Sequence, residues 1–198
     1  MNQKYTSNIK SLPFLFLEMK RTAILMCEGK SKEEIIRLSI EQNIYQLDKE
    51  KRRREVPSKM LARLSTINES LVRQIAKGPD NESKIVAFFA MMKLDRLLFE
   101  YMYEVYADKF SIGHTEITDR DYEEFIDRKI QNSEIIAGWK TDNLIQIRSA
   151  IKNTLVSAGL AKKNGSNLEI LPPLVDRDFC RMFDDEDAPY LKAILLEV

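Results

Sequence analysis

The stretch KIVAFFAMMKLDRLLFEYMYEVYADKF, Lys84–Phe110, decides how the rest of the chain must pack. Ile85, Val86, Phe88, Phe89, Met92, Leu94, Leu97, Leu98, Tyr101, Val105 and Tyr106 cover most of a helical circumference instead of one stripe. A helix that is apolar all round is buried, so one long central helix is expected here. Pro79-Asp80-Asn81 supplies a stop and a capping side chain ahead of it. At ~1.5 Å per residue such a helix runs roughly 40 Å. Lys93, Asp95 and Arg96 interrupt the apolar run and leave well under ~18 clean residues, which argues against a membrane span.

On the N-terminal side, Pro13 is expected to open a first helix that ends at about Glu28, with Gly29 as its stop. Ser31 and Glu34 have the spacing of a capping box for a second helix, roughly Lys32–Gln42, and Asn43-Ile44-Tyr45-Gln46 reads as the turn out of it. A basic segment follows, Lys49-Glu50-Lys51-Arg52-Arg53-Arg54. Val56 precedes Pro57, so a helix boundary is expected there, with Ser58 capping a helix through Met60, Leu61, Leu64 and Ile67. A short helix from Asn68 to Gly78 completes this region. Helix, turn and a basic segment leading into a helix is the order of a helix-turn-helix. Lys49, Lys51, Arg52, Arg53, Arg54, Lys59 and Arg63 are its candidate phosphate contacts. The same stretch also reads as a solvated face, because Glu50 and Glu55 stand at pairing distance from their basic neighbours.

On the C-terminal side, a connector carries the only histidine, His114, which reads as a loop residue. Thr118-Asp119-Arg120-Asp121 caps a helix with Tyr122, Phe125, Ile126 and Ile130. Ser133 starts a short second helix broken at Gly138-Trp139. Thr141-Asp142-Asn143 caps a third, whose Leu144, Ile147, Ile151 and Leu155 form an apolar stripe and which Gly159 terminates. Asn164-Gly165 is the favoured pair for a tight hairpin turn between two short strands. Three helices and a hairpin follow the order of a winged helix. In that arrangement Asn143, Gln146, Ser149 and Asn153 face base edges, while Lys140, Arg148, Lys152, Lys162 and Lys163 hold phosphates. Winged helices also dock proteins, and Asp142 near the helix start repels phosphate. The tail, Pro172–Val198, is acidic at Asp176, Asp178, Asp184, Asp185, Glu186 and Asp187 and reads as a solvated loop before a last apolar helix through Leu191, Ile194, Leu195 and Val198.

At 198 residues the chain is long enough for a sizeable core. Its 31 basic and 31 acidic residues cancel, so any binding field must come from segregated charge. Cys27 and Cys180, far apart and without a CxxC pair, suit a reducing cytosol, and the N-terminus lacks the layout of a secretory signal. With one histidine the usual zinc ligand sets cannot be assembled. Pro79 to Lys84 resembles the PD and ExK elements of metal-dependent nucleases only superficially. Its carboxylates are contiguous at a helix start, where Glu82 and Lys84 point ~200° apart. No phosphate-binding glycine loop or nucleophile elbow is present. No enzyme, cofactor or metal is expected.

Several marks together resemble one family. They are Glu18, Ser31, Asn43-Ile44-Tyr45-Gln46, the basic stretch leading into Ala62-Arg63-Leu64, Lys93-Leu94-Asp95-Arg96, Trp139-Lys140, and Leu155 through Gly159-Leu160. The chain from about Tyr5 to Leu174 is similar to the BrxA family of the BREX (bacteriophage exclusion) defence systems. The resemblance implies a mainly helical, all-α globular protein with helix-turn-helix elements that binds double-stranded DNA beside a methyltransferase, an ATPase and other BREX subunits. A small hairpin wing near residues 160–171 is expected with it. Regions 1–112 and 113–198 are the expected divisions, packed together. The expected function is a non-enzymatic, cytoplasmic DNA-binding accessory protein, with no membrane role. The alternative is a scaffold or adaptor that holds other defence subunits without touching DNA.

Overall fold

The structure is a computed structural model describing residues 3–196. The chain forms two compact units, Leu15–Met91 and residues 3–14 with 92–196. Sequence reading instead sets its division at residue 112.

The unit Leu15–Met91 is built from α1 (Phe16–Cys27), α2 (Lys32–Glu41), α3 (Glu50–Leu64), α4 (Glu69–Lys77) and most of α5 (Asp80–Met92). Helix α1 begins at Phe16, three residues later than Pro13 suggests, after Leu15 takes a left-handed conformation (φ 49°). The Ser31–Glu34 capping box is present in full, and Asn68 caps α4 by accepting from the Leu71 N–H. Helices α1, α3 and α4 pack together, with α2 against α3. Tyr45, in the turn after α2, is buried and its hydroxyl meets that of Thr22 at 2.6 Å.

Helix α3 corrects the boundary expected at Pro57. It runs unbroken from Glu50 to Leu64, so the basic segment is its first turns, and Ser58 lies inside it. Pro57 has no N–H to give the Arg53 carbonyl four residues back. The fully buried Ser39 hydroxyl, on α2, donates to that carbonyl at 2.7 Å instead. A partner supplied by a neighbouring helix cannot be read from the local sequence.

The stretch Lys84–Phe110 is also not one helix. Ile85 through Met92 of α5 are buried on every face, as expected of a core helix. The chain then breaks at Lys93-Leu94-Asp95, at the charges that interrupt the apolar run. Asp95, itself buried, turns to cap the next helix by accepting from the Leu98 N–H at 3.1 Å. Helix α6 (Arg96–Tyr101), a π-helical segment (Met102–Ala107) and α7 (Asp108–Ser111) then continue into the second unit.

That unit continues with strand β1 (Glu116–Ile117), α8 (Asp119–Asn132), α9 (Glu134–Ala137), α10 (Thr141–Ala158), β2 (Ala161–Asn164), β3 (Asn167–Ile170), α11 (Arg177–Cys180) and α12 (Ala188–Ala193). The expected hairpin is present and forms a three-stranded antiparallel sheet in the order β1-β3-β2. Its turn sits one residue later than expected. Asn164 pairs across with Asn167, which leaves Gly165, at φ 59°, and Ser166 to make the bend. The Tyr106 hydroxyl, buried under the sheet, donates to the Leu160 carbonyl at 2.8 Å and lies 3.1 Å from that of Leu171, on either side of the hairpin. Tyr101 packs edge-on to Phe125 at 5.4 Å between ring centres. The acidic tail is not wholly solvated, because Asp187 is buried and pairs with Lys93 at 2.6 Å. Val198 lies outside the described residues.

Replacing Ser39 by Ala leaves the part-buried Arg53 carbonyl without its donor. The expected loss of stability is about 1–3 kcal/mol in urea unfolding. In a Pro57→Ala background, where residue 57 regains its N–H, the same change should cost much less. Equal losses in both backgrounds would refute the role given to Ser39.

Candidate nucleic-acid interface

The basic stretch on α3 is partly paired within its own helix. Arg54 pairs with Glu50 at 2.7 Å and Lys51 with Glu55 at 3.7 Å, both one turn apart. The Arg54 guanidinium holds the Glu50 carboxyl below its usual range. Arg53 is half-buried and its Nε donates to the Leu47 carbonyl at 2.8 Å, which ties down the turn before the helix. Arg63 is buried, at 7% exposure, and so does not join an exposed phosphate-gripping face. Lys49 and Lys59 are exposed, Arg52 is half-buried, and the side chains of all three lack hydrogen-bond or ion-pair partners among the described residues. The solvated-face description fits Lys51 and Arg54, which pair along the helix.

Helix α10 presents a different surface. Asp142, Ile145, Gln146, Ser149 and Asn153 are exposed and fall within about 100° of arc at ~100° per residue. Asn143 is half-buried with its Oδ1 cut off from solvent, so it stands apart from this face. Lys140 is exposed at the N-cap position, a place sequence reading gives to Thr141. Arg148 and Lys152, one turn apart, face α8. Arg148 lies 3.3 Å from Glu123 and 3.7 Å from Asp119, while Lys152 pairs with Asp119 and donates to the Ser166 carbonyl of the hairpin turn at 2.5 Å. These two cations are therefore engaged inside the fold, not free for phosphate. The hydrogen bond from Lys152 holds the Asp119 carboxyl below its usual range.

The pleat of the hairpin separates the two wing lysines, because successive side chains point to opposite faces. Lys162 stands opposite Glu169, and Glu169 opposite Glu116, so it shares a face with two carboxylates. Lys163 lies on the α10 side. There Ser149, Lys152, Asn153, Lys163, Ser166 and Asn167 line a pocket of about 270 Å³. The side chains of Lys163 and Asn153 make no hydrogen bond or ion pair among the described residues. Sequence reading thus named four residues that converge here and missed Asp119 and Glu123. The signal was present, since two acids four apart on α8 match two bases four apart on α10.

Among the described residues no cluster of potential metal ligands occurs, and no helix is long and apolar enough to cross a membrane.

These features define a mainly helical protein with a small β wing beside an exposed helix face. The BrxA family model matches residues 3–187. The chain is 39% identical over 176 residues to a Bacillus cereus protein described as BREX protein BrxA, a match covering 89% of this chain and 88% of the other. The chain belongs to the BrxA family of the BREX phage-defence systems. The fold is similar to a crystal structure of an uncharacterized protein from Magnetospirillum magneticum, with a TM-score of 0.79 at 17% identity over 96% of this chain and 97% of that one.

Asp121, next to this site, tests its electrostatics. Burial pushes its carboxyl up, but the Lys109 ammonium at 2.5 Å and the Thr118 N–H and hydroxyl outweigh burial and hold it below its usual range. A depressed carboxylate stabilises the fold above its unfolded pKa of ~3.9, and the contribution is lost as pH falls through the lower folded value. The stability difference between wild type and Asp121→Asn should therefore be full at neutral pH and shrink below about pH 4. A difference independent of pH would contradict the assignment.

Proposed function

We propose that this protein binds double-stranded DNA, without catalysing a reaction on it, as a cytoplasmic accessory component of a BREX system. The single observation that carries the reading is the convergence of unpaired donors on one surface, Asn153 and Lys163 beside the exposed Gln146 and Ser149. Side-chain amides and hydroxyls in a row on one helix suit base edges and phosphate oxygens. The order of helix, strand, helices and hairpin, with the sheet order β1-β3-β2, resembles a winged helix and supports the same reading. Helix α10 would lie along the duplex groove, with Lys140 at its start and Lys163 on the wing reaching phosphates. The methyltransferase and ATPase of the system would work beside it. With zero net charge and Asp142 on the same face, binding should be modest, salt-sensitive and weakly selective for sequence.

A scaffold role has one observation in its favour. An apolar pocket of about 780 Å³, lined by Phe110, Pro172, Leu195 and Leu196 among others, is flanked in sequence by the exposed Ile112 and Leu171. Such a surface suits a protein partner and is compatible with DNA contact elsewhere.

Fluorescence anisotropy of a labelled duplex across a salt series separates the readings. A DNA binder should lose affinity steeply between about 50 and 200 mM salt. Lys163→Ala should flatten the salt slope by about one, and replacing Arg52 and Arg54 by Ala should matter less. Absence of binding at low salt would leave the scaffold as the better account.

A further inference from the structure

We propose that the pocket between α10 and the β2–β3 turn is a seat for a single phosphate group, and that Asp119 of α8 competes with that phosphate for Lys152. The proposal rests on the DNA reading above and names two things that reading lacks: the place where one phosphate enters, and the group that limits its affinity.

Every polar side chain at the pocket wall carries a donor for an anion, and no carboxylate lines it. Lys163 and Asn153 offer an ammonium and an amide that make no other polar contact among the described residues. The Ser149 hydroxyl is spent on the Ile145 carbonyl at 3.1 Å, but its oxygen can swing to the pocket at the loss of one local bond. The second cation, Lys152, is present but held. Its ammonium bridges Asp119 and the Ser166 carbonyl. The carbonyl contact points it at the turn, and the carboxylate contact cancels its charge.

Asp119 is the pivot of this arrangement because it faces two cations. Arg148 lies 3.7 Å from it while also pairing with Glu123 at 3.3 Å. The carboxylate therefore occupies, from inside the fold, the electrostatic position that a phosphate would take from outside. Charge-assisted bonds from an ammonium to carboxylate and to phosphate are of similar strength, so the incoming group gains only the difference. Asp119 is 41% exposed in its side chain, and solvent screening keeps that difference small enough to be overcome.

Asp119→Asn is the direct test because it keeps an oxygen for Lys152 and removes the charge. We expect duplex affinity at low salt to rise by up to about fivefold, the size of an exposed pair's coupling, and the salt slope to steepen by about one, while the unfolding midpoint falls slightly. Greater affinity with lower stability is a combination that a purely structural role for Asp119 does not produce. Should Asp119→Asn fold poorly, Glu123→Gln frees Arg148 more gently and should shift affinity the same way. Asn153→Ala and Lys163→Ala should weaken duplex binding. Inorganic phosphate, tested against chloride at matched ionic strength, distinguishes the sources. Displacement of duplex by phosphate alone marks a seat that also takes the free ion, and equal effects mark a seat for the backbone phosphodiester. Failure of the wild type to bind duplex falls on the DNA reading itself. A wild type that binds, with Asp119→Asn no tighter or Lys163→Ala undiminished, overturns the phosphate seat alone.

Discussion

One ammonium group holds the candidate surface in shape. Lys152 projects from α10, meets the Asp119 carboxylate at the start of α8, and donates to the Ser166 carbonyl in the hairpin turn. Three elements that are distant in sequence are fixed by it: helix, helix and wing. The hydrophobic face of α10, with Ile147, Ile151 and Leu155 buried, sets the depth of the helix. The polar brace adds a tie from it to the hairpin turn, beside the buried Leu168 and Ile170 of β3.

The same brace explains why Lys163, and not Lys152, is the unpaired cation at this pocket among the described residues. Many of the chain's basic side chains are matched by an acid close by, along one helix on α3 and between two helices at α8 and α10. Exposed pairs of this kind contribute little to stability. Their larger effect is on the outer field, which they flatten. What remains available to an anion is set by geometry, and the hairpin pleat sends Lys163 toward α10 and Lys162 toward Glu169.

Much of the fold was legible because its signals are local. The Ser31–Glu34 and Thr118–Asp121 boxes, the Asn68 cap, the stop at Gly159 and the wing hairpin are each written within a few residues. The features that were not legible depend on a neighbouring helix or on which side chain burial turns back on the backbone. Pro57 sits mid-helix because Ser39 of α2 serves the carbonyl it orphans. The central apolar stretch breaks because the buried Asp95 caps a new helix, a choice that periodicity alone does not reveal. For the candidate site, composition identified the basic residues but could not rank them. Arg63 and Lys163 are both basic side chains in sequence, yet one is buried and the other lines an open pocket. Residue type names a charge, and packing decides whether it is available.

The central claim is that the α10–hairpin surface, and not the basic stretch of α3, meets DNA. Backbone amide spectra recorded with and without a short duplex test it most directly. The account predicts shifts concentrated at Gln146 through Asn153 and at Lys163 through Asn167, with residues 49–63 largely unmoved. Shifts confined to residues 49–63, with the hairpin silent, would contradict it.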